Sequence, residues 1–307
     1  MTTVRTEVAQ ITDVVPAQAG TQRRSATDIA SVPNIFHFVF GLSPQVAPMH
    51  IVHYLCLESC RRVHRPDAIH FHYRHEPHGE WWQRIRPHLT LHHIAEERRV
   101  ADVGRYRDTN EGRMIEKAGW TYAHEADFIR LDALAEWGGV YADMDTLFVQ
   151  PMPRRLFQHE FVIGEEPAWP DADGVLRPSL CNALMLARPS AEFPARWRAS
   201  MDDAFDGTWS RHSCQEAARL WGEIPDAVHV APSRYFYRYA PTRGGIRALF
   251  ETFDPDFHEL YSIHLWAHLW WDEWRTDFTS FHAGLITAEH VRTVDTTYNA
   301  VARGFLD

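Results

Sequence analysis

Lysine is nearly missing from this chain: of 31 basic residues, only Lys117 is a lysine. Acidic residues number 41, which leaves a formal charge of -10. That balance excludes a general nucleic-acid binder, which needs surplus cation to neutralise phosphates. Any phosphate clamp here must be built from arginine, although the shortage of lysine is most simply a bias of composition. Cysteine is sparse as well. Cys56, Cys60, Cys181 and Cys214 form neither a CxxC pair nor a zinc spacing; Cys56 and Cys60, one helical turn apart, read as core residues. No apolar run approaches the ~20 residues that span a bilayer. The N-terminus lacks the charged-then-apolar profile of a signal peptide. The expectation is a reduced, cytoplasmic protein without a transmembrane segment.

With 307 residues and 45% hydrophobic content, the chain can bury a full core as one large domain, or as one domain with an appended subdomain. Residues 1–32 are polar and aperiodic, and read as a flexible or surface-packed leader. From Pro33 onward strands and helices alternate: a strand at 35–40, a helix at 49–63, a strand at 69–73, a short helix at 81–86 and a strand at 89–94. Such alternation predicts a right-handed, mostly parallel α/β sheet flanked by helices. The charged stretch 95–110 reads as a loop near a site, 161–164 as a strand and 171–177 as a turn. A further strand at 179–189 is interrupted by Asn182, an amide that must find partners or face a cavity. Beyond it come a helix at 193–206, a loop at 209–214, a helix at 215–221 and a strand at 229–232.

The most informative stretch is 123–149, AHEADFIRLDALAEWGGVYADMDTLFV. Phe128, Ile129, Leu131, Leu134 and Ala135 recur at helical spacing, and Gly138 and Gly139 follow the last turn, where glycine closes helices. A short apolar run then ends in Asp143-Met144-Asp145. Two carboxylates one residue apart in apolar surroundings repel each other and lose hydration, so a cation usually accompanies them. Oxygen ligands favour Mg2+ or Mn2+, which commonly share their shell with substrate phosphates. Read by itself, the triplet is also compatible with a solvated turn.

Twenty histidines need weighing. His70, His72, His75 and His78 cluster in HFHYRHEPH, with His70 and His72 on one strand face, but no carboxylate or cysteine recurs at ligand spacing. They read as structural. In SIHLWAHLWWDEW, 262–274, His264 and His268 stand four apart among Trp266, Trp270, Trp271 and Trp274. This is either an aromatic clamp of the core or a segment that closes over a ligand.

The string from Asp127 and Arg130 to WGGVYADMD resembles the sugar-nucleotide-binding segment of the DXD glycosyltransferases, above all glycosyltransferase family 32 and the clostridial glucosylating toxins. The resemblance runs from about Pro33 to Trp274 and implies a GT-A-type α/β fold, here a single catalytic domain at 33–307 with a lid at 262–274. It implies a sugar transferred from a nucleoside-diphosphate donor, UDP- or GDP-linked, to a glycan, lipid-linked or small-molecule acceptor. Anomeric retention and Mn2+ or Mg2+ come with it. Asp127 and Arg130, which share a helix face at their i, i+3 spacing, match the pair that holds the donor sugar. Asp143 and Asp145 match the metal and ribose carboxylates, and these four are the catalytic set that the resemblance implies. Phe40, with Phe38 and Val39 beside it, stands where relatives stack an aromatic on the base. Tyr141, Asn182 and Trp270 complete the donor residues, and His264 or His268 supplies a further metal ligand. Rival classes are a metal-dependent nucleotide-sugar hydrolase or phosphodiesterase and a non-catalytic carbohydrate-binding protein, neither of which needs a helix-borne Asp–Arg pair beside a strand-end DXD.

Overall fold

The structure, a computed structural model, describes residues 31–95, 105–108, 113–116, 121–170, 176–254, 256–274 and 279–307. The expected leader falls outside these apart from its last two residues. Val32 is already buried, and its amide donates to the Phe157 carbonyl at 2.8 Å.

The chain begins with β1 (Ile35–Val39), α1 (Ile51–His64), β2 (Ala68–Tyr73), α2 (Glu80–Ile85) and β3 (Thr90–His93). A small hairpin, β4 (Arg105–Asp108) and β5 (Arg113–Glu116), precedes α3 (Thr121–Trp137), β6 (Gly139–Ala142) and β7 (Thr146–Phe148). Next come β8 (Phe161–Pro170), β9 (Leu176–Ala187), α4 (Glu192–Ala204), α5 (Glu216–Glu223) and β10 (His229–Ala231). The remainder is α6 (Ser233–Phe236), α7 (Arg243–Phe250), β11 (Ser262–His264), α8 (Ala288–Thr293) and α9 (Thr297–Ala302).

Seven strands form one sheet in the order β10-β8-β9-β6-β1-β2-β3, and β9 alone runs against its neighbours. This is the mostly parallel α/β sheet that the sequence predicts. Two expectations need correction. Part of the stretch read as a loop, 105–108, is a strand paired with β5, and Arg211–Gln215 is a π-helical turn where a loop was expected. In both places short polar segments lack the apolar periodicity that marks an element in sequence.

Strand alternation divides the core. Phe36 and Phe38 pack with Val52, Leu55 and Cys56 of α1, whereas Val39 packs with Phe128 and Leu131 of α3 on the opposite face. Each fully buried side chain of this size contributes about 1.5–3 kcal/mol. The turn from α3 into β6 depends on glycine: Gly138 and Gly139 have φ of 63° and 101°, and a Cβ on Gly139 would lie 2.3 Å from the Ile35 carbonyl oxygen. That close approach lets β6 lie beside β1 and aims its C-terminal end at the site. Helix α3 buries both of its faces, an apolar one through Phe128 and Leu131 and a polar one through Asp127 and Arg130.

Candidate active site

The Asp143-Met144-Asp145 turn lies where the chain leaves the main sheet. Asp143 ends the pairing with β9, its amide donating to the Ala183 carbonyl at 2.8 Å, and the Thr146 amide closes the turn on the Asp143 carbonyl at 3.0 Å. Chain then continues as β7, which pairs antiparallel with β11. The end of β11 and the residues after it grip Asp145 from the other side. The Leu265 amide donates to its carbonyl at 2.9 Å, the Ala267 amide donates to its Oδ2 at 2.8 Å, and His264 Nδ1 lies 3.4 Å from its Oδ1. His53 of α1 donates from Nδ1 to the Met144 carbonyl at 3.1 Å. Backbone from three parts of the chain therefore fixes the carboxylate pair.

Beside it, α3 presents Asp127 and Arg130. The Arg130 guanidinium is 3.1 Å from Asp127 Oδ1 and 3.4 Å from Asp143 Oδ1, donates to the Asn182 carbonyl at 2.9 Å, and lies 4.7 Å from the centre of the Tyr141 ring. Asn182 donates from Nδ2 to Asp127 Oδ1 at 2.7 Å, which gives the interrupting amide of β9 its partner. The other oxygen of Asp127 accepts from His212 Nε2 at 2.9 Å, with the ring fully buried. Tyr141 donates its hydroxyl to Asp143 at 2.6 Å.

These contacts set the charges. Burial pushes Asp127 up, but Arg130 and His212 together outweigh it, and the carboxyl lies below its ordinary range. Asp143 goes the other way: burial and the neighbouring Asp145 charge raise it despite Arg130. Burial also weighs against a charge on Arg130, yet Asp143, Tyr141 and Asp127 hold it firmly protonated. Burial pushes Glu166 up to about 7, although the Ser179 hydroxyl donates to it at 2.9 Å.

The carboxylates and Arg130 face one cavity of about 560 Å³, lined by Val39, Phe40, Asp127, Arg130, Tyr141, Asp143, Asp145, Asn182, His264 and His268. Two sequence expectations fail. Phe38 alternates onto the α1 face of β1 and is core. Trp270 is fully buried with its ring centre 4.4 Å from that of Phe250, and its Nε1 donates to the Leu265 carbonyl at 2.6 Å. Its neighbour Trp271 lines the cavity instead, stacked 4.9 Å from the His53 ring. Between the two histidines, His264 joins the Asp pair, whereas the His268 ring packs 5.4 Å from that of Trp209. His212, His53 and Glu166 were missed. No spacing marks them, since each reaches the site from a separate element.

A divalent cation fits Asp143, Asp145 and His264. One ligand atom from each lies within 4.8 Å of the others, and His264 Nδ1 is buried without a hydrogen-bond partner. Added positive charge would relieve the repulsion that raises Asp143.

Residues 55–165 match the model of the glycosyltransferase sugar-binding region containing a DXD motif. Over 285 residues the chain is 29% identical to glucan organizing enzyme 1 of Cryptococcus neoformans var. grubii serotype A, covering 90% of this chain and 71% of that protein. A structure of the glycosyltransferase GlyE from Streptococcus pneumoniae TIGR4 aligns over 90% of this chain and 60% of that one, at 13% identity and a TM-score of 0.46. The galactosyltransferase LgtC, in complex with donor and acceptor sugar analogs, aligns over 88% of this chain and 96% of its own, at 14% identity and a TM-score of 0.43. The matched segment holds both the Asp127–Arg130 pair and the Asp143–Asp145 turn, so this part of the chain is similar to the DXD-containing sugar-binding region of glycosyltransferases.

Proposed function

We propose that this chain is a metal-dependent glycosyltransferase that moves a sugar from a nucleoside-diphosphate donor, UDP- or GDP-linked, onto a glycan, lipid-linked or small-molecule acceptor. The observation that carries this reading is the meeting of Asp127, Arg130, Asn182, Asp143 and Asp145 in one cavity. Among the acceptors a glycan is favoured, because the cryptococcal relative is named for glucan.

Breaking a glycosyl–phosphate bond leaves negative charge on the diphosphate and positive charge on the anomeric carbon. Asp143, Asp145 and His264 would hold Mn2+ or Mg2+, which supplies charge against the leaving diphosphate when bound. Asp127, kept ionised by Arg130 and His212, can accept donor hydroxyls and offset positive charge on the sugar. Phe40 and Trp271 offer aromatic faces along the same cavity, Phe40 for the base. Retention of configuration is part of the reading, as is closure of 262–274 over the diphosphate. Of that segment Trp266, Ala267, His268, Trp271 and Asp272 line the cavity.

A thermal-shift screen of UDP-, GDP- and TDP-sugars with and without Mn2+ tests this. A donor at 100 times its dissociation constant adds ~2.7 kcal/mol of stability, a readable shift. The expected result is one nucleotide class that raises the melting temperature only with the metal. A shift from free glycan alone, indifferent to nucleotide and metal, would leave a carbohydrate-binding protein. Donor breakdown unaffected by any acceptor would leave a hydrolase.

A further inference from the structure

Among the described residues, a second group of metal-ligating side chains lies away from the carboxylate turn, on the face of the sheet that α3 covers. In the parallel register His37 of β1 sits beside His70 of β2, and His72 beside His92 of β3. Because strand residues alternate faces, all four rings share one side, while Phe36, Phe38 and Phe71 point into the core on the other. Trp137, at the C-terminal end of α3, packs over them with ring centres 5.0–5.7 Å from all four. It is ten residues from Asp127, about 15 Å along the helix.

We propose that His37, His70 and His72 form a binding site for a borderline transition cation such as Zn2+, separate from the carboxylate site. One nitrogen from each lies within 4.8 Å of the others. The Gly138 carbonyl, which can only accept, receives a hydrogen bond from His37 Nε2 at 2.8 Å. In the neutral ring this turns the Nδ1 lone pair toward His72 Nε2, 3.2 Å away. Two imidazole nitrogens on one tetrahedral Zn2+ are about 3.3 Å apart, given bonds of ~2.0–2.1 Å. A carbonyl on the far nitrogen is also the usual way a ligating histidine is oriented.

The second observation is His70. Its side chain is 8% exposed and its Nδ1 is buried without a hydrogen-bond partner. Burial keeps these rings neutral, with His37 lowered to about 3, His70 to about 4 and His72 to about 2, so lone pairs are available at neutral pH. His92, half-buried on the outermost strand with its Nε2 also unpartnered, packs its ring 4.6 Å from that of His70 and 4.9 Å from that of His72. A set of imidazoles with no carboxylate selects Zn2+, Co2+, Ni2+ or Cu2+ over Mg2+ and Mn2+. Its occupant would tie β1 to β2 and, through Gly138 and Trp137, to the end of α3. The remaining histidine group, His124 and His212 with Asp127, belongs to the sugar site, where Asp127 already accepts from His212.

The test uses the full chain, stripped with a chelator, in an Asp145→Asn background that disables the carboxylate site. Co2+ is titrated while the visible absorption of the four-coordinate ion is followed, with Zn2+ and Mg2+ as competitors. One Co2+ should bind per chain, displaced by Zn2+ and indifferent to Mg2+. His70→Gln should weaken that binding at least about a hundredfold with unchanged circular dichroism. X-ray absorption of the Zn2+-loaded protein should show scattering from three or more imidazoles, a readout that stands even if His70→Gln does not fold. Absence of a Co2+ band, a band that His70→Gln leaves intact, or a shell with fewer than three imidazoles would overturn the proposal, and His37–His72 would then be an ordinary N–H···N hydrogen bond in the core.

Discussion

His212 reaches Asp127 from a π-helical turn 85 residues further along the chain, its Nε2 2.9 Å from Oδ2 of the carboxylate. A hydrogen bond to a charged group contributes about 1.5–3 kcal/mol, equivalent to roughly one to two pH units of carboxyl pKa. His212→Ala should therefore raise the pKa of Asp127 and move the acid limb of the kcat/KM profile upward by about one unit or more. An acid limb that stays in place, with turnover unchanged, would mean that the imidazole only fills space.

Arg130 contacts Asp127, Asp143 and Asn182 at once and is buried. Arg130→Ala leaves the buried Asp127 and the half-buried Asp143 without their counter-charge, and removing one partner of a buried pair typically costs about 3–5 kcal/mol. We expect a large fall in melting temperature together with a greater loss of affinity for the intact donor than for the free nucleoside diphosphate. Equal losses for the two ligands would confine Arg130 to a structural ion pair.

Asp145→Asn removes a charge that raises Asp143, and the Ala267 amide keeps an oxygen to donate to. The metal-free variant should melt at or above the wild-type temperature. Mn2+-dependent stabilisation by donor should disappear, and calorimetry with and without Mn2+ reads this directly. Wild-type donor affinity with unchanged metal dependence would contradict the assignment of the turn.

Trp270 and Trp271 should separate cleanly. Truncating the fully buried Trp270 to alanine should cost about 3–5 kcal/mol of stability. Trp271→Ala, at the cavity, should chiefly raise the KM for donor. Urea melts and steady-state kinetics on both variants would show the split, and a reversed pattern would move the cavity wall to Trp270.

Glu166 gives a pH signature. A carboxyl with a higher pKa in the folded than in the unfolded state stabilises the fold below its unfolded value, and that contribution is lost as pH rises through the folded value. With 4.5 as reference and about 7 in the fold, stability should fall by roughly 3 kcal/mol across that window. Glu166→Gln should flatten the slope in denaturant titrations; a slope that persists would place its origin elsewhere.

The sequence by itself determined the α/β alternation, the helix–glycine–strand unit at 125–142 and the Asp127–Arg130 and Asp143–Asp145 pairs. Each of these is written in local spacing: a period of 3.6, a period of 2, or carboxylates one residue apart. Asn182 was legible for a related reason, since an amide breaking an apolar run must be satisfied somewhere. What only the tertiary structure decided depends on contacts between distant segments. Phe38 and Phe40 share a strand face, but Phe40 stands just past the end of β1 at the cavity while Phe38, two residues deeper, stays in the core. The position of the turn after β11 put Trp271 rather than Trp270 on the wall, and brought His264 rather than His268 to the carboxylates. His212, His53 and Glu166 carry no local signature, because hydrogen bonding and burial are properties of partners brought together by the fold. The histidines of 70–78 read as structural because their nearest possible co-ligand, His37, lies on a different strand, and parallel register alone sets it beside His70.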